Sequence, residues 1–294
     1  MKKEKRSAVF CVLLAGILWG SMGLFVRRLN EAGLFALEVV QIRVTLAFLF
    51  VGVYLAAGHR EKLKIRLRDS WCFFGTGVLS LLFFTWCYFT GMTVAGLGVM
   101  GVLLYTAPAF VMLLSVLLFG EKLTGGNLLA LAMTFAGCCL VSGLGTGMRI
   151  SGKGLLLGLG AGFGYALYSI FGRYAIRRGY DSWTITFYTF AFCAAGCAFL
   201  SDWALIFRVI RTEPTLLFRM VLMGLLTGFL AYVLYTKGLE GMESSRASIL
   251  ASVEPVVAAI VGAVFFSETI TLHCALGIAL VLGGIAVLSL RKKE

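Results

Sequence analysis

The sequence predicts an all-α polytopic membrane protein whose ten transmembrane helices form two inverted five-helix repeats. Composition is the first observation, because 60% of the 294 residues are hydrophobic and only 14% are charged, against about 25% charged in soluble domains. A mean hydropathy of +0.95 agrees. The second observation is an internal duplication, and the third is an odd number of apolar segments in each copy. Together they exclude a soluble fold and indicate a membrane unit that occurs twice.

The duplication appears when the chain is offset by 147 residues against itself. The segment Thr85–Gly91 then meets Tyr232–Gly238, and the register continues without a gap as far as Ser142 and Ser289. Identical pairs include Tyr88 with Tyr235, Pro108 with Pro255, Glu121 with Glu268, and Gly137 with Gly284. Near the start of each copy the offset is 146, which pairs Gly16 with Gly162 and Arg27 with Arg173. We therefore predict two repeats of five helices, residues 1–146 and 147–294.

Ten apolar segments are long enough to cross a membrane. A helix needs about 20 mostly apolar residues to span about 30 Å of hydrocarbon, and irregular backbone facing lipid would leave polar groups unpaired. The segments run over residues 8–27, 36–57, 72–92, 97–119, 126–144, 154–175, 183–201, 216–237, 245–267 and 272–290. What remains is loops, which are too short for a soluble catalytic, ATPase or sensor domain.

Five helices per copy give the two copies opposite orientations in the membrane. Inverted copies can exchange conformations, which is the physical basis of alternating access at a site near the midplane where the repeats meet. We expect both termini to be cytoplasmic, because this orientation places 18 of the 26 basic residues inside. The basic loop from His59 to Asp69 is then cytoplasmic, and its counterpart from Asp202 to Pro214 is outside.

The net charge of +12 is explained by lipid rather than by nucleic acid. Anionic head groups of the cytoplasmic leaflet are the expected partner of the basic loops, and we predict no nucleic-acid partner. The start of the chain, Met1–Arg6 followed by an apolar run, is interpreted as a retained first helix, because the run is too long for a signal peptide and lacks a cleavage site. The predicted location is the plasma membrane, and a second copy of the chain is a candidate partner.

No cofactor, metal or catalytic residue is expected. The eight cysteines lie in or at the edges of the apolar segments without a Cys-x-x-Cys pair. The segment Gly147–Gly154 nearly matches a phosphate-binding loop, but Gly154 replaces the Ser or Thr that holds Mg²⁺. The segment Gly96–Gly101 matches a dinucleotide fingerprint without the required βαβ unit. A duplicated membrane unit is typical of transport, while a membrane-embedded enzyme and a non-transporting scaffold or receptor remain the alternatives.

A series of short motifs resembles the EamA-like transporters of the drug/metabolite transporter superfamily. The resemblance rests on Trp19-Gly20-Ser21, Arg43, Pro108 followed by Gly120-Glu121-Lys122-Leu123, and Glu254-Pro255 followed by Glu268. One departure is Tyr165-Ala166, where the second half of such proteins often has Trp-Ala. The resemblance implies a central cavity formed largely by spans 3, 4, 8 and 9, with spans 1 and 6 nearby. It also implies export or uptake of small metabolites such as amino acids or related solutes, and we expect export.

Glu254 is the leading candidate for a substrate-binding or coupling residue. It lies about nine residues into span 9, near the bilayer centre. A carboxylate there raises the free energy of the protein unless it is paired with a cation, protonated or hydrated. We interpret it as a proton-carrying or ammonium-binding acid, or alternatively as a carboxyl that bonds the backbone freed by Pro255. On a regular helix Glu254 would point away from the face that carries Ser245, Ser248 and Ser252. The sequence therefore predicts that either the serines or the glutamate face the cavity.

The remaining candidates are one cation, two prolines and several aromatic residues. Arg43 could bind an anionic group, or instead pair with Glu38 or extend toward the outer face. Pro108 and Pro255 are candidate hinges, with packing bends as the alternative. Glu121 and Glu268 are interpreted as turn and cap residues for the helix that follows each of them. Aromatic side chains expected on the cavity wall are Trp19, Tyr88, Tyr105, Tyr165 and Tyr235.

Overall fold

The computed structural model describes residues 2–142 and 151–290, and within those ranges the chain forms helices and no strand. The first repeat contains span 1 (Lys2–Gly20 and Gly23–Glu31), span 2 (Ala36–Gly58), span 3 (Ser70–Phe74, Gly75–Leu82 and Phe83–Ala95), span 4 (Leu97–Leu104 and Ala107–Phe119) and span 5 (Gly125–Val141). The second contains span 6 (Gly152–Arg177), span 7 (Ser182–Ala198), span 8 (Leu216–Met223, Gly224–Leu230 and Ala231–Gly241), span 9 (Ser244–Ala251 and Glu254–Phe266) and span 10 (Leu272–Leu290).

The helices match the predicted ten-span membrane fold. Within the described ranges, seven helices are long and apolar enough to cross a membrane, and span 7 qualifies when joined to the helix that follows it after a bend of 98°. Spans 5 and 10 are shorter apolar helices. The predicted boundary between residues 146 and 147 lies outside the described residues.

Two segments that the sequence assigned to loops are helical. Span 1 continues to Glu31, so Arg27 and Arg28 lie on a helix. The expected outer loop contains the helix Trp203–Thr212. Its Ile206 and Val209 pack against residues of spans 1 and 2, while Phe207 and Arg208 are exposed. A short helix with one apolar face suits a surface position, and a search for segments of about 20 apolar residues does not detect it.

The two repeats share the same distortions. Spans 4 and 9 are each interrupted at the same place, just before Pro108 and Pro255. Spans 3 and 8 both contain a stretch of π-helix, Gly75–Leu82 and Gly224–Leu230. The symmetry is incomplete, since span 1 is interrupted at Ser21-Met22 whereas span 6 is continuous.

Packing follows the duplication as well. Span 1 packs along span 8, and its counterpart span 6 packs along span 3. Spans 5 and 10 pair through glycines: a Cβ added to Gly137 would lie 2.6 Å from the carbonyl oxygen of Gly277. Such close backbone approach stabilises helix pairs in lipid through van der Waals contact. Five helices per repeat and equivalent contacts in both repeats give two inverted copies related by a pseudo-twofold axis.

We call the end of the bundle where span 1 begins the inner end, following the predicted orientation. At this end the loop between spans 2 and 3 is bound to the second repeat. Asp69 accepts hydrogen bonds from Arg178 Nε and from the Tyr180 hydroxyl, each at 2.9 Å. Lys62 Nζ lies 2.7 Å from a carboxylate oxygen of Asp181. The inner end therefore carries several polar ties between the repeats.

Candidate functional site

Two small cavities lie side by side in the centre of the bundle and share the Tyr165 side chain. The aromatic cavity, of about 10 Å³, is lined by Trp19, Ser80, Leu81, Phe84, Tyr165, Tyr168, Ser169, Tyr232 and Tyr235. The carboxylate cavity, of about 20 Å³, is lined by Leu104, Tyr105, Ala107, Pro108, Tyr165, Ser248, Ala251, Ser252 and Glu254. Each has room for about one water molecule, so the centre of the bundle holds little free space in this conformation.

The interruptions of spans 4 and 9 form most of the carboxylate cavity. At the 147-residue offset, the lining residues of span 4, between 104 and 108, correspond to residues 251–255 of span 9. Each helix ends in a tight turn, with Tyr105 N donating to Val102 O at 3.2 Å and Ser252 N donating to Ile249 O at 3.1 Å. Each proline then lies in the first turn of the next helix, where its missing N–H costs little. Four helix ends therefore converge on the cavity.

Glycines on spans 1 and 6 hold these interruptions in place. A Cβ on Gly162 would lie 2.4 Å from Thr106 Oγ1 and 3.0 Å from the carbonyl oxygen of Leu103. A Cβ on its repeat counterpart Gly16 would lie 2.6 Å from Val253 Cγ1 and 3.0 Å from the Ala251 carbonyl oxygen. Since neither position has space for a side chain, spans 1 and 6 pack directly on the two interruptions.

Glu254 points into the carboxylate cavity. The Tyr165 hydroxyl donates to Glu254 Oε2 at 3.5 Å, and the Tyr165 ring packs edge-on against Trp19 and Phe84. Ser248 and Ser252 line the same cavity. The prediction that only the serines or the glutamate would face the cavity is therefore wrong. The helix stops at Ala251 and restarts at Glu254, so the regular rotation of 100° per residue does not apply between them.

The aromatic cavity is bounded by a cluster of rings around Trp19. The Trp19 ring centroid lies 5.1 Å from that of Tyr232 and 5.2 Å from that of Tyr235. The Tyr235 hydroxyl and Ser169 Oγ are 2.7 Å apart. Ser80 Oγ lines this cavity and has no hydrogen-bond partner among the described residues. The cavity thus combines apolar ring faces with one free hydroxyl group.

The structure brings most of the predicted site residues together, but not all of them. Trp19 and Tyr235 line the aromatic cavity, Tyr105, Pro108, Ser248, Ser252 and Glu254 line the carboxylate cavity, and Tyr165 lines both. Tyr88 lines neither cavity and packs against Phe84. Pro255 follows Glu254 without lining either cavity. The duplicated motifs therefore identify the helices that form the cavity walls. They do not identify which aromatic side chains of those helices line a cavity.

Arg43 lies at the interruption of span 1 rather than in either cavity. It is 6% exposed, its Nη1 lies 2.9 Å from Met22 Sδ, and its Nε has no partner within the described part of the chain. It neither extends to the surface nor pairs with Glu38, whose Oε1 accepts a hydrogen bond from Asp202 N at 3.2 Å. The alternatives that paired Arg43 with Glu38 or placed it near the outer face are wrong, because span 8 covers it at Gly228.

Sequence reasoning missed two polar residues of the site, Ser169 and Ser80, and gave Glu121 the wrong partner. Ser169 lies one helical turn after Tyr165 on span 6, a spacing that could have revealed it. Ser80 falls within a π-helical stretch, where regular periodicity gives no such guide. Glu121 was expected to support the following helix, but Thr124 caps that helix by accepting from Asn127 N. Glu121 instead accepts from Ser244 N at 2.8 Å and from Ser245 N at 3.2 Å, so it caps span 9 of the other repeat.

Comparison with known proteins agrees with this architecture. The sequence profile described as the EamA-like transporter family matches residues 6–143 and 152–290. An uncharacterized transporter of Archaeoglobus fulgidus is 28% identical over 94% of both chains. The uncharacterized transporter YxxF of Bacillus subtilis is 24% identical over 99% of this chain and 92% of its own. A crystal structure with 20% sequence identity has the same fold, with a TM-score of 0.77 over 97% of both chains. Two family matches that together cover nearly the whole chain show that it belongs to the EamA-like transporter family, as a multi-pass membrane protein.

Proposed function

We propose that this chain is a secondary transporter that moves small metabolites, such as amino acids or related solutes, by alternating access at the repeat interface. The observation that supports this most strongly is Glu254, a carboxylate in a small cavity where the interruptions of spans 4 and 9 meet. A polar site at interrupted helices between inverted repeats is the arrangement that secondary transporters use. Export across the plasma membrane is the proposed direction.

Each part of the site has a role in this proposal. Glu254 binds a substrate ammonium group or carries a proton. Ser248 and Ser252 offer hydroxyl groups, although each also donates to a backbone carbonyl of its own helix. The rings of Trp19, Tyr105 and Tyr165 provide apolar walls and π faces that attract cations. The site thus fits a small solute that carries a positive group next to apolar atoms.

Arg43 has a second role in the proposal. Its buried guanidinium lies beside the span 1 interruption, with Nε unpaired among the described residues. A buried cation without an ion-pair partner is costly. A substrate carboxylate that reached Arg43 when span 1 moved would offset that cost. A zwitterionic solute would then use Glu254 and Arg43 in turn.

The lining of both cavities favours transport over catalysis. It consists of one carboxylate, hydroxyl groups and apolar side chains, whereas an active site would combine a nucleophile with a base or a metal. Transport is then energised by an ion gradient or by exchange of solutes. A membrane scaffold remains the second candidate class, and it would carry no solute at all.

Solute flux in proteoliposomes tests the proposed function. Purified protein is reconstituted without ATP, and counterflow of radiolabelled amino acids and related small solutes is measured against protein-free vesicles. We expect at least one zwitterionic or cationic solute to accumulate transiently by exchange. Absence of protein-dependent counterflow across the whole panel would favour the scaffold, and an absolute requirement for ATP would contradict secondary transport.

The proposed orientation is tested separately. Single cysteines are introduced at Leu123, between spans 4 and 5, and at Thr269, between spans 9 and 10, in a chain whose native cysteines are replaced. In intact cells an impermeant maleimide should label the Thr269→Cys variant and spare the Leu123→Cys variant until the membrane is permeabilised. The reverse pattern would overturn the cytoplasmic location of both termini.

A further inference from the structure

Two Arg–Glu pairs that are equivalent by the repeat lie at opposite ends of the bundle, and among the described salt bridges only the outer pair is in direct contact. Arg173 and Glu121 lie at the inner end, and their repeat counterparts Arg27 and Glu268 lie at the outer end. Both glutamates follow a residue in the left-handed conformation, Gly120 with φ of 67° and Ser267 with φ of 55°. Their backbone N–H groups also bond to equivalent carbonyls, those of Ser115 and Gly262. The two ends therefore start from the same local backbone.

At the inner end Glu121 joins the start of span 9 to the first repeat, and Arg173 joins it to span 6. The Glu121 carboxylate accepts hydrogen bonds from Ser244 N, Ser245 N and Ser245 Oγ at the start of span 9. Arg173 donates to Ser244 Oγ at 3.0 Å and to the carbonyl oxygen of Met242. A carboxylate at a helix N-terminus is stabilised by the N–H groups that lack a partner within the helix. All these groups are part-buried, so the inner end is closed by charge-assisted hydrogen bonds.

At the outer end the same side chains make a different contact. Arg27 Nη1 lies 3.1 Å from Glu268 Oε1, and the side chains are 48% and 57% exposed. The Arg27 guanidinium also lies 4.3 Å from the centroid of the Phe266 ring. The Glu268 carboxylate folds back onto its own helix beside Gly262. Among the described hydrogen bonds, the Glu268 carboxylate bonds to Arg27 and not to the N-terminus of span 4, which is the counterpart of the site that Glu121 occupies.

Helix packing, like the hydrogen bonding, is tighter at the inner end than at the outer end. The inner halves of spans 4 and 9, Ala107–Phe119 and Ser244–Ala251, pack closely against each other. The outer halves, Leu97–Leu104 and Glu254–Phe266, do not pack in this way within the described structure. The carboxylate cavity lies where the two spans begin to separate. The structure is thus closed at the inner end and parted at the outer end.

We propose that the two Arg–Glu pairs are alternating gates, and that Glu268 moves onto the N-terminus of span 4 when the outer end closes. By the repeat offset, the Glu268 carboxylate then accepts from the N–H groups of Leu97 and Gly98, and Arg27 donates to the carbonyl oxygen of Ala95. Glu121 and Arg173 release span 9 in the same transition. This mechanism rests on the proposed transport function, because it specifies which residues hold each end of the path shut.

The two gates are not equally strong. Ser244 and Ser245 each add a side-chain hydroxyl to the inner gate, and their counterparts Leu97 and Gly98 have none to offer. The outer gate therefore lacks two charge-assisted hydrogen bonds. This difference accounts for a state that is closed inside and parted outside, and it predicts that a hydroxyl at position 98 favours outer closure.

A distance measurement between the outer ends of spans 3 and 9 tests the gates without any substrate. Spin labels are placed at Val94→Cys and Ile270→Cys in a chain whose eight native cysteines are replaced, and distances are recorded by pulsed electron resonance in lipid. We expect E121Q to raise the ratio of short to long distances about tenfold, the effect of one lost charge-assisted hydrogen bond. E268Q should lower the same ratio, and G98S should raise it.

Matched controls are E240Q at the inner end and E31Q at the outer end. Glu240 caps span 7 by accepting from Ser182 N, and Glu31 pairs with Arg28, so neither joins spans 4 and 9. Their distance ratios should equal that of the parent chain. Shifts of E121Q and E268Q in the same direction, or no shift in folded protein, would overturn the gates. Opposite shifts in a chain without solute flux would instead refute the transport function and leave the gates standing.

Discussion

The interruptions of spans 4 and 9 have the same backbone and different chemistry. Both stop one helix, turn, and restart with a proline in the first turn of the next. The residue before the proline is Ala107 in span 4 and Glu254 in span 9. The duplicated pattern therefore sets the shape of the site, while a single unduplicated residue supplies its carboxylate. The shape of the site and its chemistry can therefore be disrupted by different substitutions.

The largest effect is expected where the shape depends on glycine. Gly16→Leu and Gly162→Leu each place a side chain within 3.0 Å of the interrupted backbone, so spans 1 and 6 must move away. We expect destabilisation of about 3 kcal/mol, the upper range for overpacking, or no folded protein at all. Size-exclusion chromatography after stepwise heating measures the loss.

Gly152→Leu is the control for the glycine variants, because a side chain there meets no atom within 4 Å. Its heat stability should match that of the parent chain. If Gly162→Leu were as stable as Gly152→Leu, the close packing of span 6 against the span 4 interruption would be refuted.

An intermediate effect is expected from the serines beside Glu254. Ser248→Val and Ser252→Val keep the shape of the cavity wall and remove a hydroxyl, at a cost of about 1 kcal/mol of substrate binding each. We expect the KM of the solute identified by counterflow to rise about fivefold, with little change in maximal rate. Ser115→Val is the control, since Ser115 is buried on span 4 and lines neither cavity. Equal KM values in all variants would remove the serines from the site.

The smallest effect is expected at the inner loop, away from the cavities. Asp181 caps span 7 by accepting from Thr184 N at 3.0 Å, and it pairs with Lys62. Burial raises the pKa of Asp181, but hydrogen bonds from Lys62 and Thr184 outweigh burial and lower that pKa below 3.8. The hydrogen bond with Asp181 raises the pKa of Lys62 above 10.5, against the effect of burial. Asp181→Asn keeps an N-cap side chain and loses the partly exposed ion pair with Lys62, which should cost about 0.5 kcal/mol.

The pH dependence of that cost follows from the two pKa shifts. A carboxyl group whose pKa is lowered by folding stabilises the folded state at pH values above its unfolded-state pKa, and this stabilisation is lost as the pH falls through its folded-state pKa. A lysine whose pKa is raised by folding stabilises the folded state below its unfolded-state pKa, and this stabilisation is lost as the pH rises through its folded-state pKa. The stability difference between the parent chain and Asp181→Asn should therefore be constant from about pH 5 to about pH 9 and shrink below about pH 4. A difference that grew on acidification would contradict this assignment.

The fold could be predicted from sequence because its signals are long and repeated. Ten apolar segments and a 147-residue offset gave the spans, the inversion and the paired interruptions at Pro108 and Pro255. The site was harder to predict because regular helix geometry fails where a helix is interrupted, as at Ser252 and Glu254. Glu121 shows a second limit: its partner Ser244 is 123 residues away, whereas the sequence pattern indicated only the helix that directly follows Glu121.

Glu254→Gln gives the most direct test of the central claim that this carboxylate couples solute movement at the repeat interface. Glutamine keeps the shape of the side chain and cannot release a proton. In proteoliposomes with an imposed pH gradient, the parent chain should accumulate the counterflow solute. The variant should lose that accumulation and retain solute exchange. A folded Glu254→Gln variant that still accumulates solute with unchanged pH dependence would contradict the claim, and Glu254 would then be a residue that only supports the interruption of span 9.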